Sequence, residues 1–389
     1  PELVIQVGAL NTVTRLNESF FEYLPNADLR WEKTTSYNLG LEIALLKDRI
    51  QGEFNYYFKK GEDMIMSKKV SQSMGLSTVK INGGRIDNSG CELTFRFYPI
   101  RTADYAFSVN FVYSYNKNEL VSANSDSDIT NSEMLNGSAL IEGKPMGTFY
   151  SYRFAGLNQD NGYPLFYAKN GQKVHRALRQ DLELVHCGSI FPKLSGGFDT
   201  QVTFKKVLSL SLNFAYSTGS VSRLPKFYDS YTIDPLTNLS DEWLKCWKQA
   251  GDNTIYPAPY NSTDMKNYLA TETGSVYDIS EGIYNAPVIF AGNTSNLDEG
   301  IEKTKTLLNN YCDIRVAKAD FLKLKMVALS YSVPQNVLDF LHISSMLVRF
   351  QVTNLFTIAD KKWKGLDPET NGANIPALPT YSFGINVSF

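Results

Sequence analysis

The groups that could do acid/base or metal chemistry are few. The chain has three histidines, His175, His186 and His342, and only the first two share a connecting segment, near Asp181. Proton transfer or metal binding needs partner groups held beside the imidazole, and no such constellation stands out, so these read as ordinary surface histidines. The four cysteines, Cys91, Cys187, Cys246 and Cys312, are far apart and form no CxxC, which points to neither a zinc site nor a dense disulfide framework. A single disulfide stays open. The stretch "NSDSDITNSE", Asn124 to Glu133, alternates oxygen ligands as a calcium loop does. It lacks the glycine that the EF-hand turn needs at its sixth position, and a solvated loop is the simpler reading. The expectation is therefore no catalytic residue, no metal, no cofactor and no enzyme.

Binding chemistry is better represented. A sugar's apolar face packs on an aromatic ring while its hydroxyls need nearby amides and carboxylates. Tyr228, Tyr231, Trp243, Trp247, Tyr256 and Tyr260, with Asp229, Asp252 and Asn253, meet that description inside one long polar stretch. Two readings are open: contact with a ligand or with a covering partner, or the core of the loop itself. Trp243 and Trp247 are spaced i, i+4, so they could also pack one face of a short helix.

Whatever these loops do, strands must hold them. The chain ends in "PTYSFGINVSF", where Tyr381, Phe383, Ile385, Val387 and Phe389 alternate with small or polar residues. That is a strand with one apolar and one wet face. The pattern recurs at Leu208 to Tyr216, Tyr105 to Tyr115, Ile50 to Lys59 and Met346 to Thr353, and less purely at Thr34 to Leu46, Asp87 to Pro99, Lys193 to Lys205 and Asp320 to Val333. Strands of soluble proteins average about five or six residues, whereas a tilted membrane-spanning strand needs about 9 to 11. Length favours a transmembrane antiparallel β-barrel over a soluble sandwich, which alternates equally well. The segment Asp320 to Val333 fits worst, because Phe321, Val327 and Leu329 share a face with Lys323 and Lys325.

The connections agree. Those near Asp48, Arg101 and Lys205–Lys206 are tight, and they alternate with long polar excursions at Gly61 to Ile86, Lys117 to Pro192, Ser220 to Ala319 and Ala359 to Leu378. Short turns on one rim and long loops on the other are the outer-membrane arrangement, with the long loops outside the cell. "PQNVLDFLHIS" is the one longer connection on the short-turn rim, with a helical turn begun at Pro334. No apolar run reaches the length of about 18 residues that a helical span needs. A net charge of −2 offers no basic field for nucleic acid, and aromatics at 13% suit the girdles of a membrane barrel.

Nine such strands, with an uncertain tenth at "ELVIQVGAL", are few beside loops approaching a hundred residues. Ten could close alone under the even-strand rule for bacterial barrels, but such loops would dwarf it, so part of a larger barrel is expected. The chain resembles the C-terminal barrel portion of the SusC/RagA-like TonB-dependent outer-membrane transporters. The matching stretches include "LPNADLRWEKTTSYNLGLEIALLKDRIQGEFNYYFKKGEDMI", "NGGRIDNSGCELTFRFYPI", "IEGKPMGTFYSYRFAGLNQDNGYPLF", "FPKLSGGFDTQVTFK", "KADFLKLKMVALSYSVP", "NLFT" and "DPETNG". They run in family order from Leu24 to Phe389 and are weakest over Ser220 to Ala319, where Ala250 stands at the usual proline.

The resemblance implies that residues 1–389 are the last nine or ten strands of a 22-stranded barrel, with plug domain and TonB box outside this segment. It implies active import of an oligosaccharide or peptide across the outer membrane of a Gram-negative bacterium. TonB would act through the N-terminal part, and a SusD-like surface lipoprotein would form a lid. Phe389 matches the terminal aromatic that the assembly machinery reads. The alternative is a self-contained barrel acting as an adhesin or a surface enzyme.

Overall fold

Alternation of this length produces one dominant element. The computed structural model describes residues 4–10, 17–23, 26–71, 78–123, 129–160, 162, 164–174, 182–226, 240–258, 310–370 and 377–389. Among the described residues, strands β1 (Val4–Leu10) and β2 (Asn17–Tyr23) pair only with each other, so the tenth strand expected at "ELVIQVGAL" forms but lies outside the main sheet. That sheet contains β3 (Lys33–Leu45), β4 (Ile50–Lys69), β5 (Thr78–Arg101) and β6 (Tyr105–Ala123). After these come helix α1 (Asn131–Asn136) and the short loop strands β7 (Thr148–Tyr152), β8 (Phe154–Leu157), β9 (Pro164–Tyr167), β10 (Lys173–Val174) and β11 (Leu184–Ser189).

The sheet resumes with β12 (Leu194–Phe204) and β13 (Leu208–Thr218). A small ladder, β14 (Val221–Arg223) with β15 (Val316–Lys318), precedes β16 (Phe321–Ser332), helix α2 (Gln335–Leu341), β17 (Ser345–Ala359) and β18 (Thr380–Ser388). The nine-stranded sheet is an antiparallel meander in sequence order, with β3 and β18 at its edges.

Register turns the alternation into two faces. One cross-strand row reads Leu45, Ile50, Phe97, Val109, Thr200, Leu212, Val327, Val352, Tyr381. The adjacent row reads Ala44, Gln51, Arg96, Asn110, Asp199, Asn213, Met326, Thr353, Thr380. On this second face Arg96 Nε donates to Asn110 Oδ1 at 2.7 Å, and Asn110 Nδ2 donates to Asp199 Oδ2 at 2.6 Å. Nearly all-apolar rows on one side and hydrogen-bonded polar rows on the other are what lipid and lumen require.

Connections at one rim are minimal. Lys205 and Lys206 both take positive φ, 47° and 58°, the pair of values a two-residue turn needs to follow the twist of its strands. Thr102 N donates to Tyr105 O, and its hydroxyl accepts from Tyr105 N. Helix α2 starts after Pro334, where the missing N–H costs nothing, and ends at His342 in the left-handed conformation. At the other rim β4 and β5 run past the sheet as a two-stranded extension, Met64 to Lys69 against Thr78 to Gly84. Much of the loop expected between Gly61 and Ile86 is therefore strand.

The misfit in β16 has a structural answer. Opposite β13 the register slips by one at Lys325, which is the extra residue between the Asn213–Met326 and Phe214–Leu324 pairs. Opposite β17 the same point is matched by a shift that passes over Asn354, at φ 53°, and Leu355. Such a bulge changes which face each later residue occupies. Leu322 and Leu324 thus join the apolar rows with Tyr216 and Phe214, and Lys323 pairs with Ala215 on the polar face.

Glycine is required where tyrosine lies over the backbone. A Cβ at Gly90 would sit 2.2 Å from Tyr115 O and 2.5 Å from the Tyr57 hydroxyl, which donates to Asn116 Oδ1 at 3.0 Å. Gly196 is covered in the same way by Tyr216, whose hydroxyl donates to Val112 O at 3.1 Å.

Two outcomes follow from the faces. Leu210→Arg places a charge on the apolar face and should cost about 2 to 4 kcal/mol at mid-membrane, while Ser211→Arg on the polar face is tolerated. Equal loss of the heat-modifiable band on a gel for both variants would contradict the assignment. Gly90→Ala should lower the unfolding midpoint in denaturant, because Tyr115 O is backbone and cannot yield.

Candidate functional site

The long connections fold into a body with its own core at the open rim. Strands β7 and β11 pair, β8, β9 and β10 form a second small sheet, and a parallel bridge joins Tyr152 to Cys312. Leu135, Tyr152, Phe166, Leu182 and Cys312 are buried together. Arg223 of β14 pins this core by donating to Ser151 Oγ at 3.0 Å, Leu135 O at 2.9 Å and Tyr150 O at 3.3 Å. Its guanidinium also lies over Tyr311, 4.6 Å from the ring centre. Burial pushes the Cys312 thiol up to about 12, so it stays protonated and unreactive at neutral pH. None of the four cysteines forms a disulfide.

The stretch with the aromatic and carboxylate cluster packs beside that core. Ser240 caps a 3-10 turn, Asp241–Lys245, by accepting from Glu242 N. Trp243 and Tyr256 pack on buried Cys246. Trp247 N donates to Tyr256 O at 2.9 Å, and the Trp247 ring lies over Gly162, where a Cβ would come within 2.4 Å of it. The two tryptophans do not share a helix face, because the turn ends before Trp247. The Asp252 carboxylate accepts from Lys248 N and Gln249 N, and Asn253 is exposed. Tyr228, Asp229, Tyr231 and Tyr260 lie outside the described residues.

The other candidates separate. His175, Asp181 and residues 124–128 also lie outside the described residues. His186 stacks edge-on against Tyr150, and burial lowers its pKa, helped by Lys144 and Lys193. Glu133 is engaged in a capping box, accepting from Thr130 N at 2.7 Å at the start of α1. Among the described residues no group of three His, Cys, Asp or Glu side chains is placed to hold a metal ion.

Two ionic nodes tie the loops together, and no sequence spacing announces the first. Glu242 is nearly buried and meets Arg315 at 3.2 Å, Lys364 at 3.1 Å and the Tyr256 hydroxyl at 3.0 Å. Burial alone would raise the Glu242 carboxyl, but Arg315, Lys364 and Tyr256 hold it below its ordinary value. The residues around this node, with Leu224, Ile255 and Lys362, line a cavity of about 70 Å³. In the second node Lys323 meets Asp367 and Glu369, and Lys325 meets Glu369 at 2.6 Å. Trp363 Nε1 donates to Lys318 O in the same fold-back. The signal for this node was the pair of lysines in an otherwise apolar strand, together with the acidic "DPETNG".

A meander of nine long strands, short turns at one rim and a folded loop body at the other now stand beside known proteins. Residues 9–167 match the family model described as TonB dependent receptor-like, beta-barrel. Over that stretch the chain is similar to the β-barrel of TonB-dependent receptors, and its antiparallel sheet has the fold of such a barrel. It is 23% identical to TonB-dependent receptor P3 of Formosa agariphila, over 94% of this chain and 35% of that protein. It is 29% identical to TonB-dependent receptor SusC of Bacteroides thetaiotaomicron, over 38% of this chain and 16% of that protein. Among solved structures it aligns along its whole length with the RagAB peptide transporter, at a TM-score of 0.71 and 20% identity, covering 38% of that chain. That likeness concerns the fold. The chain spans about a third of the length of the first of these relatives, and TonB-dependent receptor barrels are outer-membrane proteins of Gram-negative bacteria.

Glu242→Gln should loosen the loop body while the barrel stays folded. Breaking a buried pair removes the carboxylate that Arg315 and Lys364 share, which costs about 3 to 5 kcal/mol locally, read as lost amide protection around Tyr256 and Arg315. Because the carboxyl is held below its ordinary 4.5, its contribution is present above that pH and is lost as pH falls through the folded value. Loop proteolysis should rise below about pH 4.5 in the parent and stay flat with pH in the variant.

Proposed function

We propose that this chain is the C-terminal part of the barrel domain of a SusC/RagA-like, TonB-dependent importer in the outer membrane of a Gram-negative bacterium. The whole protein takes up a nutrient too large for porins, an oligosaccharide or a peptide. The observation that carries the reading is the combination of one continuous lipid-type sheet with a structured loop body at a single rim. A barrel that only anchors a domain has no need of loops that build their own core and ion-pair back to the polar wall through Lys323 and Lys325.

In this reading the long-loop rim faces outward. Strands outside the nine pair with the edges of β3 and β18, because open sheet edges are not tolerated in lipid. A SusD-like lipoprotein closes over the loops, and TonB acts through the N-terminal part. The exposed side of the Trp243 to Tyr256 stretch, with Trp247, Asp252 and Asn253 and with Tyr228, Asp229, Tyr231 and Tyr260, is offered to ligand or lid. The relatives are receptors and transporters rather than enzymes, which weighs against the surface-enzyme alternative.

The test uses the full-length protein in a strain lacking its own copy. Uptake of labelled nutrient should require an intact TonB complex, and a lipoprotein should co-purify from the outer membrane. Uptake that persists without TonB would reject the reading. Phe389 is 93% exposed at the end of β18, and its deletion should sharply lower outer-membrane levels on an immunoblot. Unchanged levels would remove the assembly role.

A further inference from the structure

The extension of β4 and β5 beyond the sheet encloses a second, larger cavity. It has a volume of about 470 Å³ and lies between the hairpin, β6 and the segment that carries α1. Met64, Met66 and Met146 line it together with Ile86, Leu120 and Leu140. Ile86 and Leu120 pair directly, in step with Asn88–Asn118 and Arg96–Asn110, so these two lining residues stand on the polar, inward face of the sheet. Gly84 makes room for the methionines: a Cβ there would stand 3.1 Å from Met66 Sδ and 3.2 Å from Met64 Cβ.

The chemistry of the wall is selective. Three thioethers and five aliphatic side chains, Ile65 and Ile129 among them, form an adaptable apolar surface interrupted by Ser67, Thr78 and Ser138, since methionine repacks around different shapes. The volume lies in the range of about 300 to 1,000 Å³ typical of ligand pockets. Over the apolar part of this wall sugar hydroxyls would lose water without finding partners, whereas an aliphatic side chain would not. One cation stands at the edge: Lys80 Nζ donates to Ser67 Oγ at 2.8 Å, and among the described residues it meets no carboxylate. The lining carboxylate, Glu133, is engaged at the start of α1.

The geometry points to a subsite for an apolar peptide side chain, with the free carboxylate of the same peptide held by Lys80. The assignment rests on the import reading and narrows its substrate class to peptides with aliphatic residues near the C-terminus. It requires no movement of the barrel wall, only repacking of Met64, Met66 and Met146.

The experiment uses the full-length transporter in detergent with methionine methyl groups labelled for NMR. The probe is acetyl-trileucine as the free acid, compared with its C-terminal amide. Titration with the acid should shift the methyl signals of Met64, Met66 and Met146. Met64→Gln with Met66→Gln should weaken binding at least tenfold. Lys80→Gln should weaken the acid at least fivefold and leave the amide unchanged. Heat-modifiability on a gel checks that each variant is folded, and the methyl shifts of the parent need no variant.

Absence of binding, binding without those shifts, or a Lys80→Gln variant that treats acid and amide alike would overturn the assignment. The import reading stands or falls separately. TonB-dependent uptake of an oligosaccharide without any peptide binding would retain the importer and reject this subsite, whereas TonB-independent uptake would reject the importer.

Discussion

In hydrocarbon a backbone N–H or C=O has no water to turn to, so each must find its partner on the neighbouring strand. The rest of this molecule is arranged around that constraint. It sets the strand length, forbids irregular backbone across the sheet, and forces side chains to sort by parity into two populations. The paired rows of β3 to β18 carry that sorting across every strand of the sheet, from Leu45 to Tyr381 on one side and from Ala44 to Thr380 on the other. One departure of the ladder from regularity, at Lys325 and Asn354, lies where Lys325 meets Glu369.

The loop body obeys a different economy. It cannot rely on lipid, and its core of Tyr152, Phe166 and Cys312 is small. Its shape is completed by charged groups in and beside that core: Arg223 reaches Leu135, Tyr150 and Ser151, while Glu242 gathers Arg315, Lys364 and Tyr256. These groups bring together stretches that are far apart in the chain. Segments near residues 150, 242, 315 and 364 therefore behave as one unit, seated on the barrel through Lys323 and Asp367.

The barrel was legible in the amino-acid sequence because parity is a local property. The run from Leu208 to Tyr216 declares its two faces without knowledge of any neighbour, and the lengths of the runs separated membrane from soluble sheet. The helical turn after Pro334 was legible for the same reason. The bulge was not, because a one-residue slip shows only as two lysines on the wrong face. Nor was the pairing of β1 with β2 alone, since alternation does not state which strand lies alongside. The loop body was least legible. Glu242 and Arg315 are brought together by tertiary packing, and the β4–β5 extension hid in a stretch whose glycines and charges read as loop.

The bulge at Lys325 has a consequence for how such a wall varies. On a regular strand the inward surface is altered one substitution at a time, and each residue keeps its side. A single extra residue instead exchanges the inward and outward sets for the whole length beyond it. Residues 321–324 thus belong to a different reading frame of the wall from residues 326–332. In that upper segment inserted or deleted residues, more than exchanged ones, are the coarse control over what the passage displays, and the acidic fold-back at Asp367 and Glu369 is matched to the frame now in place.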